Sequence, residues 1–299
     1  MLAPIALFVY KRPDHARNAL QSLATNPEFE ASPLFIYSDG ARGPEDEEAV
    51  KQTRAVVRAN ATSLTTIIEQ PSNVGLANSI ISGVTQLCSQ YGRVIVLEDD
   101  LFVSSRFLAY MNAALTRYAD DDVVMQIAGY MFAVDLKVSE DSFFAPFTTS
   151  WGWATWQRAW QHFDPDMRGL AALEQDRFMR QRFNLDGAYD YYGLLQRQQR
   201  RQVDSWAVRW YLSVFLRHGL TLYPKRTLVE NRGMTGGGTH CTNDPFGAVL
   251  DADFGVRSFP DTLAVAPCWR DVALHIRRRN TGLPALVARI SNFLGFNHN

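Results

Sequence analysis

The sequence is short of cysteine and has no long apolar run. Its 299 residues include three cysteines, Cys88, Cys241 and Cys268, with no C-x-x-C pair among them. This odd, widely spaced set fits neither a disulfide framework nor a zinc site. The apolar start at residues 1–10 is too short to span a membrane and lacks the features of a secretory signal. We therefore expect a soluble, cytoplasmic protein.

An excess of charge of one sign is also missing. Thirty basic residues stand against thirty-one acidic residues, so the net charge is -1. A surface with this balance has no bulk attraction for polyanions, and we predict that nucleic acid is not a partner. Hydrophobic residues make up 46% of the chain and charged residues 20%, which is typical of a globular protein with a large core.

The first half contains a regular alternation of strand and helix patterns. Short apolar runs that predict buried strands occupy residues 4–10, 33–37, 64–68 and 94–97. Pro13 and Pro44 are well placed to open helices, and apolar residues at helical spacing follow between 76 and 88. Strands separated by helices predict an α/β fold: a doubly wound, Rossmann-like, mostly parallel sheet with helices on both faces.

Polar and charged residues follow the predicted strands, where ligands bind in such folds. The most distinctive of these segments is Glu98-Asp99-Asp100, which directly follows an apolar run. Three adjacent carboxylates at a buried strand end repel one another unless a cation compensates. Oxygen ligands favour Mg²⁺ or Mn²⁺, with coordination positions left for phosphate oxygens. The alternative is a solvated loop that caps the next helix.

The order of strand, carboxylate trio and helix resembles the D-x-D-type element of GT-A glycosyltransferases. More specifically, the chain resembles bacterial relatives of the N-acetylglucosaminyltransferase that initiates hybrid N-glycans, in which the trio is also Glu-Asp-Asp. The segments that carry this resemblance are Ile5 to Pro13, Val96 to Asp100, Trp151 to Trp156 and Asp204 to His240. The resemblance implies an inverting, metal-dependent transfer of sugar from a nucleoside-diphosphate sugar, which we expect to be UDP-linked.

The resemblance gives each residue of the trio a role. Asp100 is implied to be the direct metal ligand, with Mn²⁺ or Mg²⁺ as the cofactor. Asp99 is implied to contact the donor ribose or a metal-bound water, and Glu98 to support both.

Four further residues match positions around the nucleotide. Arg12 and Asp39 match positions that contact the base and ribose, and a carboxylate at Asp39 has the chemistry to accept the imide N–H of uracil. Asn73 and Asn78 bound a segment that closes over the nucleotide in the family. The alternatives are a turn residue at Asp39 and an ordinary helix entry at the two asparagines.

An inverting transfer also needs a base, whose assistance is worth ~10²–10⁴-fold. The resemblance points to Asp204, but many bacterial relatives carry an acid just after the following tryptophan, where this chain has Ala207. Asp190 and Glu230 therefore stay open. His240 ends a glycine-rich loop and is predicted to contact metal or phosphate when that loop closes.

Tryptophans are concentrated in one segment of the second half. Sugar rings stack their C–H faces on aromatic side chains, and a glycine lets backbone approach a ligand closely. We therefore predict that Trp151, Gly152 and Trp153 line the donor-sugar or acceptor site. Trp156 and Trp160 lie at helical spacing and are predicted to belong to the core.

No repeat or low-complexity linker divides the chain. We predict a GT-A catalytic domain over residues 1–250, with a nucleotide-binding half at 1–125 and an acceptor half at 126–250. Residues 251–299 form a C-terminal extension, whose basic, amphipathic tail after residue 277 either packs on the domain or touches a membrane surface peripherally.

The predicted function is thus transfer of a sugar to a hydroxyl of a glycan or lipid-linked saccharide acceptor. A sugar-phosphate nucleotidyltransferase is one alternative, but that class opens with a glycine-rich loop after the first strand, where this chain has Lys11-Arg12-Pro13-Asp14. A carbohydrate-binding protein without catalysis is the other.

Overall fold

The structure is a computed structural model that describes residues 1–233 and 248–281. The strands within these residues are β1 Ile5–Val9, β2 Leu34–Ser38, β3 Thr65–Glu69, β4 Arg93–Glu98, β5 Leu101–Val103, β6 Val124–Ala128, β7 Ser142–Ala145, β8 Trp153–Trp156, β9 Leu220–Pro224 and β10 Val229–Asn231. The helices are α1 Pro13–Ala24, α2 Pro44–Ala59, α3 Leu76–Tyr91, α4 Phe107–Arg117, α5 Gln157–Trp160, α6 Leu170–Gln175, α7 Arg177–Phe183, α8 Tyr191–Gln199, α9 Trp206–Leu216 and α10 Trp269–Thr281.

Eight strands form one central sheet in the order β3-β2-β1-β4-β8-β6-β9-β7. The first four run parallel, β8 is antiparallel to both β4 and β6, and β6 is parallel to β9. Strand β6 therefore points in the same direction as β4. The predicted α/β class, with a mostly parallel sheet, is confirmed.

Helices cover both faces of the sheet, as predicted. One apolar cluster joins the sheet to α1 and α4, and a second joins it to α3, α5 and α9. Helix α3 shows why the pattern folds this way: Ile80, Val84, Leu87 and Cys88, at helical spacing, are buried, although Leu76 at its start is exposed. Gly92 ends the helix with a left-handed φ of 74°. Strands β1, β2 and β6 are buried along their whole length, which explains why apolar residues predominate in them.

A small two-stranded sheet lies next to the carboxylate trio. Strand β10 pairs antiparallel with β5, which places Glu230 opposite Phe102. The pairing continues one step further, because the Arg232 amide donates to the Asp100 carbonyl at 2.8 Å. Residues 229–233, which are distant in sequence, are thereby fixed beside the trio.

The described part of the C-terminal extension packs on the sheet domain. Phe259 stacks on Tyr110 with ring centroids 6.2 Å apart, and the Ala266 amide donates to the Phe144 carbonyl. In α10, Val272 and Ile276 are buried in the larger apolar cluster. Residues 282–299, which hold most of the predicted amphipathic tail, lie outside the described residues. No helix in the described part of the chain combines the length and apolarity that crossing a membrane requires.

Candidate functional site

A polar crevice of about 270 Å³ opens at the carboxyl ends of β1, β2 and β4. The chain runs from β1 to β2 and β3 on one side and then returns to add β4 on the other side of β1. This reversal of strand order leaves a gap between the loops after β1 and β4, which is where open α/β sheets bind ligands. The predicted residues that line this crevice are Arg12, Asp39, Asn73, Glu98, Asp99 and Asp100.

The carboxylate trio forms one wall of the crevice. Burial, and then the neighbouring Asp100 and Asp99 carboxylates, raise the pKa of Glu98 to about 8. Burial and Asp100 raise the pKa of Asp99 to about 7, although the Tyr10 amide donates to Asp99 Oδ2 at 3.3 Å. Burial also raises the pKa of Asp100, and the guanidinium of Arg12 opposes this shift from 3.6 Å. The wall therefore concentrates more negative charge than its surroundings neutralise.

The loops after β1 and β2 also bring cations to the crevice. Lys11, Arg12 and Arg42 all line it. The buried carboxylate of Asp46, in the first turn of α2, accepts hydrogen bonds from Lys11 Nζ at 2.6 Å and from the Tyr10 hydroxyl at 2.5 Å. These bonds tie the end of β1 to the start of α2. The crevice thus combines an acidic wall with a basic rim, which suits a ligand that carries both a metal ion and phosphate groups.

The Asp39 carboxylate is engaged in holding a loop. Its Oδ1 accepts from the amides of Gly40 at 2.9 Å and Val74 at 2.8 Å, and its Oδ2 accepts from Asn73 Nδ2 at 2.9 Å and the Gly75 amide at 3.0 Å. A carboxylate offers about four lone-pair sites, so these bonds occupy all of them. The predicted contact with uracil therefore does not fit this geometry, and Asp39 instead anchors the loop between β3 and α3.

The two asparagines predicted beside this loop have different surroundings. Asn73 lies in the crevice, where its Oδ1 accepts from Arg42 Nε at 3.3 Å. Asn78 does not line the crevice: it is exposed in the first turns of α3, and its side-chain amide donates to the Val74 carbonyl at 2.8 Å. For Asn78 the structure therefore agrees with the ordinary helix entry.

A divalent cation fits the oxygen ligands of the trio. Asp99 and Asp100 offer two carboxylates at the wall of an open crevice, and burial raises the pKa of both, an effect that a bound cation would oppose. Among the described residues no three His, Cys, Asp or Glu side chains converge as metal ligands. An ion held here would rely on one or two carboxylates and take its other ligands from water and phosphate, which is how Mg²⁺ commonly binds.

The candidate bases lie in three different environments. Asp204 does not line the crevice: its side chain is 61% exposed and forms an ion pair with Arg209 at 2.8 Å. Asp190 is the N-cap of α8 and accepts from the Gly193 amide at 2.9 Å, which gives it a structural role. Glu230 is buried on β10, where Oε2 pairs with Arg232 at 3.2 Å and Oε1 has no hydrogen-bond partner. His240 lies outside the described residues.

The tryptophan segment divides between a pocket and the core. Trp151 is partly buried and lines a second, aromatic pocket. The prediction that Trp153 lines a sugar site is wrong: its side chain is 1% exposed and packs among Trp160, Trp206 and Trp210. It is the central ring of a buried cluster, and its position on β8 turns it towards α9.

Gly152 is required by the protein interior rather than by a ligand. Its φ is 63°, a left-handed value that favours glycine, and its carbonyl accepts from the Gly129 amide at 2.7 Å. A Cβ at this position would lie 2.7 Å from Val229 Cγ2. The close approach that we predicted is therefore an approach to core residues. Trp156 and Trp160 are buried, as predicted.

Sequence reasoning missed part of both pockets. Arg42 lines the crevice three residues after Asp39, and a basic residue this close to a strand end is the signal that points to it. Tyr189 and Tyr191 line the aromatic pocket just before and at the start of α8. The signal there is a tyrosine-rich segment, Tyr189 to Tyr192, outside any regular apolar pattern.

No protein-family model matches the sequence, and comparison with curated protein sequences gives no match either. Among solved structures, the chain is similar to a mannosyltransferase, PcManGT from Pyrobaculum calidifontis, in complex with GDP-Man and Mn²⁺. The identity is 13% and the TM-score 0.30, over 43% of this chain and 35% of that chain. A UDP-glucose pyrophosphorylase complexed with UDP-glucose has 12% identity and a TM-score of 0.32, over 56% of this chain and 82% of that chain.

A third similar structure is S. aureus TarS in complex with UDP, with 14% identity and a TM-score of 0.31, over 49% of this chain and 41% of that chain. The chain spans less than half the length of the mannosyltransferase and of TarS. Two of the three complexes hold a nucleotide sugar, and the third holds UDP. At these identities and TM-scores the similarities do not assign this chain to a family.

Proposed function

We propose that the protein is a metal-dependent, inverting glycosyltransferase of the GT-A type, which uses a nucleoside-diphosphate sugar, in particular a UDP-sugar. The observation that carries this proposal is the pair of carboxylates, Asp99 and Asp100, facing Arg12 at the point where the strand order reverses. A nucleoside diphosphate with its divalent cation brings both the positive charge that this wall lacks and the negative charge that the basic rim can bind.

Each side of the crevice has its own part in binding the donor. Asp100 and Asp99 hold the cation, Mn²⁺ or Mg²⁺, which when bound stabilises the charge that develops on the departing diphosphate. Arg12 and Lys11 supply fixed positive charge for the phosphate oxygens at the end of β1. The loop anchored by Asp39 closes the nucleoside end of the crevice.

Transfer requires that a base remove the proton from an acceptor hydroxyl of a glycan or lipid-linked saccharide. Asp204 is our candidate for this base, because it directly precedes Ser205 and Trp206, which line the aromatic pocket. Its ion pair with Arg209 holds the carboxylate at the start of α9. A base on the acceptor side accords with inversion, in which the attacking hydroxyl approaches opposite to the leaving diphosphate.

Isothermal titration with UDP, GDP and dTDP, each with and without Mn²⁺, tests the donor site. The informative variant is Asp100→Ala, and Asp166→Ala, which removes an exposed carboxylate on the surface, is its matched control. We expect one nucleotide to bind only with Mn²⁺, with binding lost in Asp100→Ala and kept in Asp166→Ala. Absence of nucleotide binding under every condition contradicts the proposal.

A transfer assay separates catalysis from carbohydrate binding alone. We expect Asp204→Asn to bind the preferred nucleotide as the native protein does and to lower sugar transfer ~10²–10⁴-fold, the usual contribution of a general base. Equal transfer by both proteins removes Asp204 from this role. Donor-independent sugar binding that is indifferent to loss of Asp100 would instead identify a non-catalytic binding protein.

A further inference from the structure

The aromatic pocket lies at the same edge of the sheet as the carboxylate crevice. It has a volume of about 220 Å³, and part of its wall comes from Tyr130, just after β6, and from Ser150 and Trp151, just before β8. Because β6 runs parallel to β4 and β8 runs opposite to both, all these strand ends face one edge. Strand β8 alone separates β4 from β6, so the two pockets are about two strand spacings, roughly 10 Å, apart along the sheet.

The rings of this pocket are fixed by contacts with one another. Trp151 meets Tyr130 edge to face, with centroids 4.6 Å apart, and Tyr191 meets Tyr211 in the same way at 4.8 Å. Trp206 is stacked on the buried Trp153 at 5.1 Å, which holds it against the core. The aromatic surface is therefore set before any ligand arrives, and binding costs little side-chain entropy.

The pocket is neutral in its described residues, which carry hydroxyl groups as well as rings. Its described lining contains no Asp, Glu, Lys, Arg or His, in contrast to the crevice. The hydroxyl-bearing residues are Thr148, Thr149, Ser150 and Ser205, alongside the aromatic side chains. A phosphate group finds no counter-charge among these described residues. A pyranose ring fits it, because its C–H face packs on aromatic rings while its hydroxyls bond to serine and threonine.

We propose that this pocket binds one pyranose ring and is the saccharide subsite that works beside the nucleotide crevice. The assignment of a subsite rests on the proposed function, whereas pyranose binding itself is measurable without it. The ring belongs either to the acceptor or to the sugar of the donor, since both have the same chemistry. Ala207 gives a direct way to close the pocket, because it lines it from the first turn of α9 and is only half-buried.

The test uses the full chain and saturation-transfer NMR, with irradiation of the protein's aromatic protons. The probes are the methyl pyranosides of glucose, galactose, mannose and N-acetylglucosamine, and octyl glucoside below its micelle concentration. The blocking variant is Ala207→Phe, and Ala171→Phe is its matched control, because it places the same ring on an exposed turn of α6. Tyr189→Ala is a second variant that removes a pocket ring without filling the space.

The proposal expects saturation of the ring protons of at least one methyl pyranoside in the native protein and in Ala171→Phe. The signal is expected to disappear in Ala207→Phe, and the affinity to fall about two- to tenfold in Tyr189→Ala, as the loss of one stacking contact implies. No transfer to any methyl pyranoside, or transfer that survives Ala207→Phe, overturns the proposal. Saturation confined to the alkyl protons of octyl glucoside identifies a lipid site and also overturns it.

Titration of the same proteins with UDP and UDP-N-acetylglucosamine in Mn²⁺ distinguishes the two sources of the ring. A donor-sugar subsite predicts that Ala207→Phe weakens the nucleotide sugar but not UDP. An acceptor subsite predicts that both bind unchanged and that only the methyl pyranoside is lost. If the native protein binds a methyl pyranoside in this pocket but no nucleotide, the proposed function fails while the pocket assignment stands.

Discussion

Replacement of Asp39 by asparagine separates two roles for a residue that lines the proposed nucleotide crevice. Asp39 is 6% exposed and accepts four hydrogen bonds from residues 40 and 73–75. If these bonds define its role, Asp39→Asn loosens the loop that follows β3. If Asp39 instead reads the imide of uracil, the same substitution changes base preference and leaves the loop in place.

The structure sets the size of the expected effect. Oδ1 of Asp39 serves one pair of donors and Oδ2 serves another, but an asparagine amide has only one oxygen. Its NH₂ group would therefore face two N–H donors, either those of Asn73 and Gly75 or those of Gly40 and Val74. Each buried donor left without an acceptor costs about 1–3 kcal/mol, so the loss of two acceptors lowers the free energy of unfolding by about 2–6 kcal/mol.

Urea unfolding and titration with UDP and CDP measure the two roles side by side. We expect Asp39→Asn to lose stability by the amount above and to weaken both nucleotides by the same factor. The matched control is Asp141→Asn, because Asp141 Oδ2 also accepts two backbone amides, from Arg257 and Ser258, but lines neither pocket. An asparagine oxygen can still accept both of these bonds. The control is therefore expected to lose less stability and to bind nucleotide normally.

Unchanged stability of Asp39→Asn, together with a shift in the ratio of UDP to CDP affinity, would refute this reasoning. It would mean that the loop holds its conformation without the carboxylate and that Asp39 is available to the base. Stability loss without any change in nucleotide affinity would show that the loop does not form the floor of the nucleotide site.

Two further predictions concern the trio and the glycine before β8. Burial and the two aspartates that follow it raise the pKa of Glu98 from 4.5 to about 8 against the opposing charge of Arg12, so its ionisation disfavours folding. The contribution of protonated Glu98 to stability is fully present below pH 4.5 and is lost as the pH rises through 8. Relative to Glu98→Gln, the free energy of unfolding of the metal-free protein should fall by about 2–3 kcal/mol between pH 6 and pH 9, as measured by urea unfolding. A pH-independent difference contradicts this shift. Gly152→Ala should lower the free energy of unfolding by about 2–4 kcal/mol, because it combines a positive φ with a Cβ against Val229. The control is Gly187→Ala, at φ 85° with open space around the Cβ, which should cost about 1–2 kcal/mol. Equal losses of stability in the two variants would exclude the steric contribution.

The parallel half of the fold was predictable because its signals are local. Proline at the first turn of α1 and α2, continuous apolar runs in β1 and β2, and a helical apolar face in α3 each depend on a few neighbouring residues. The same is not true of β8, which enters the sheet between β4 and β6 and pairs antiparallel with both. Its four residues, WATW, carry no period that distinguishes such a strand from a loop.

The site was predictable in its residues but less so in their roles. Acidic residues after β4 and a basic residue after β1 follow from the rule that ligands bind at strand ends, and the structure brings Arg12 within 3.6 Å of Asp100. Whether Asp39 faces a ligand or its own loop depends on the conformation of residues 73–75, which the identity of Asp39 does not determine. Likewise Trp151 and Trp153 differ by two positions in sequence, yet one lines a pocket and the other is core.

The two pockets differ in charge, and this difference bears on which ligand each of them favours. The crevice presents carboxylates that gain from a cation, so it favours a ligand that arrives with its own metal and phosphates. The described lining of the aromatic pocket offers no such compensation and therefore disfavours the same diphosphate. A neutral saccharide carries neither metal nor phosphate, and it therefore favours the aromatic pocket over the crevice. Strand β8 lies between the two pockets, and its Trp153 stacks on Trp206 in the wall of the aromatic pocket. Strand β8 also pairs with β4, which leads into the carboxylate trio, so one strand supports both sites. The spacing of the two subsites is thus fixed by the register of the sheet rather than by a flexible connection.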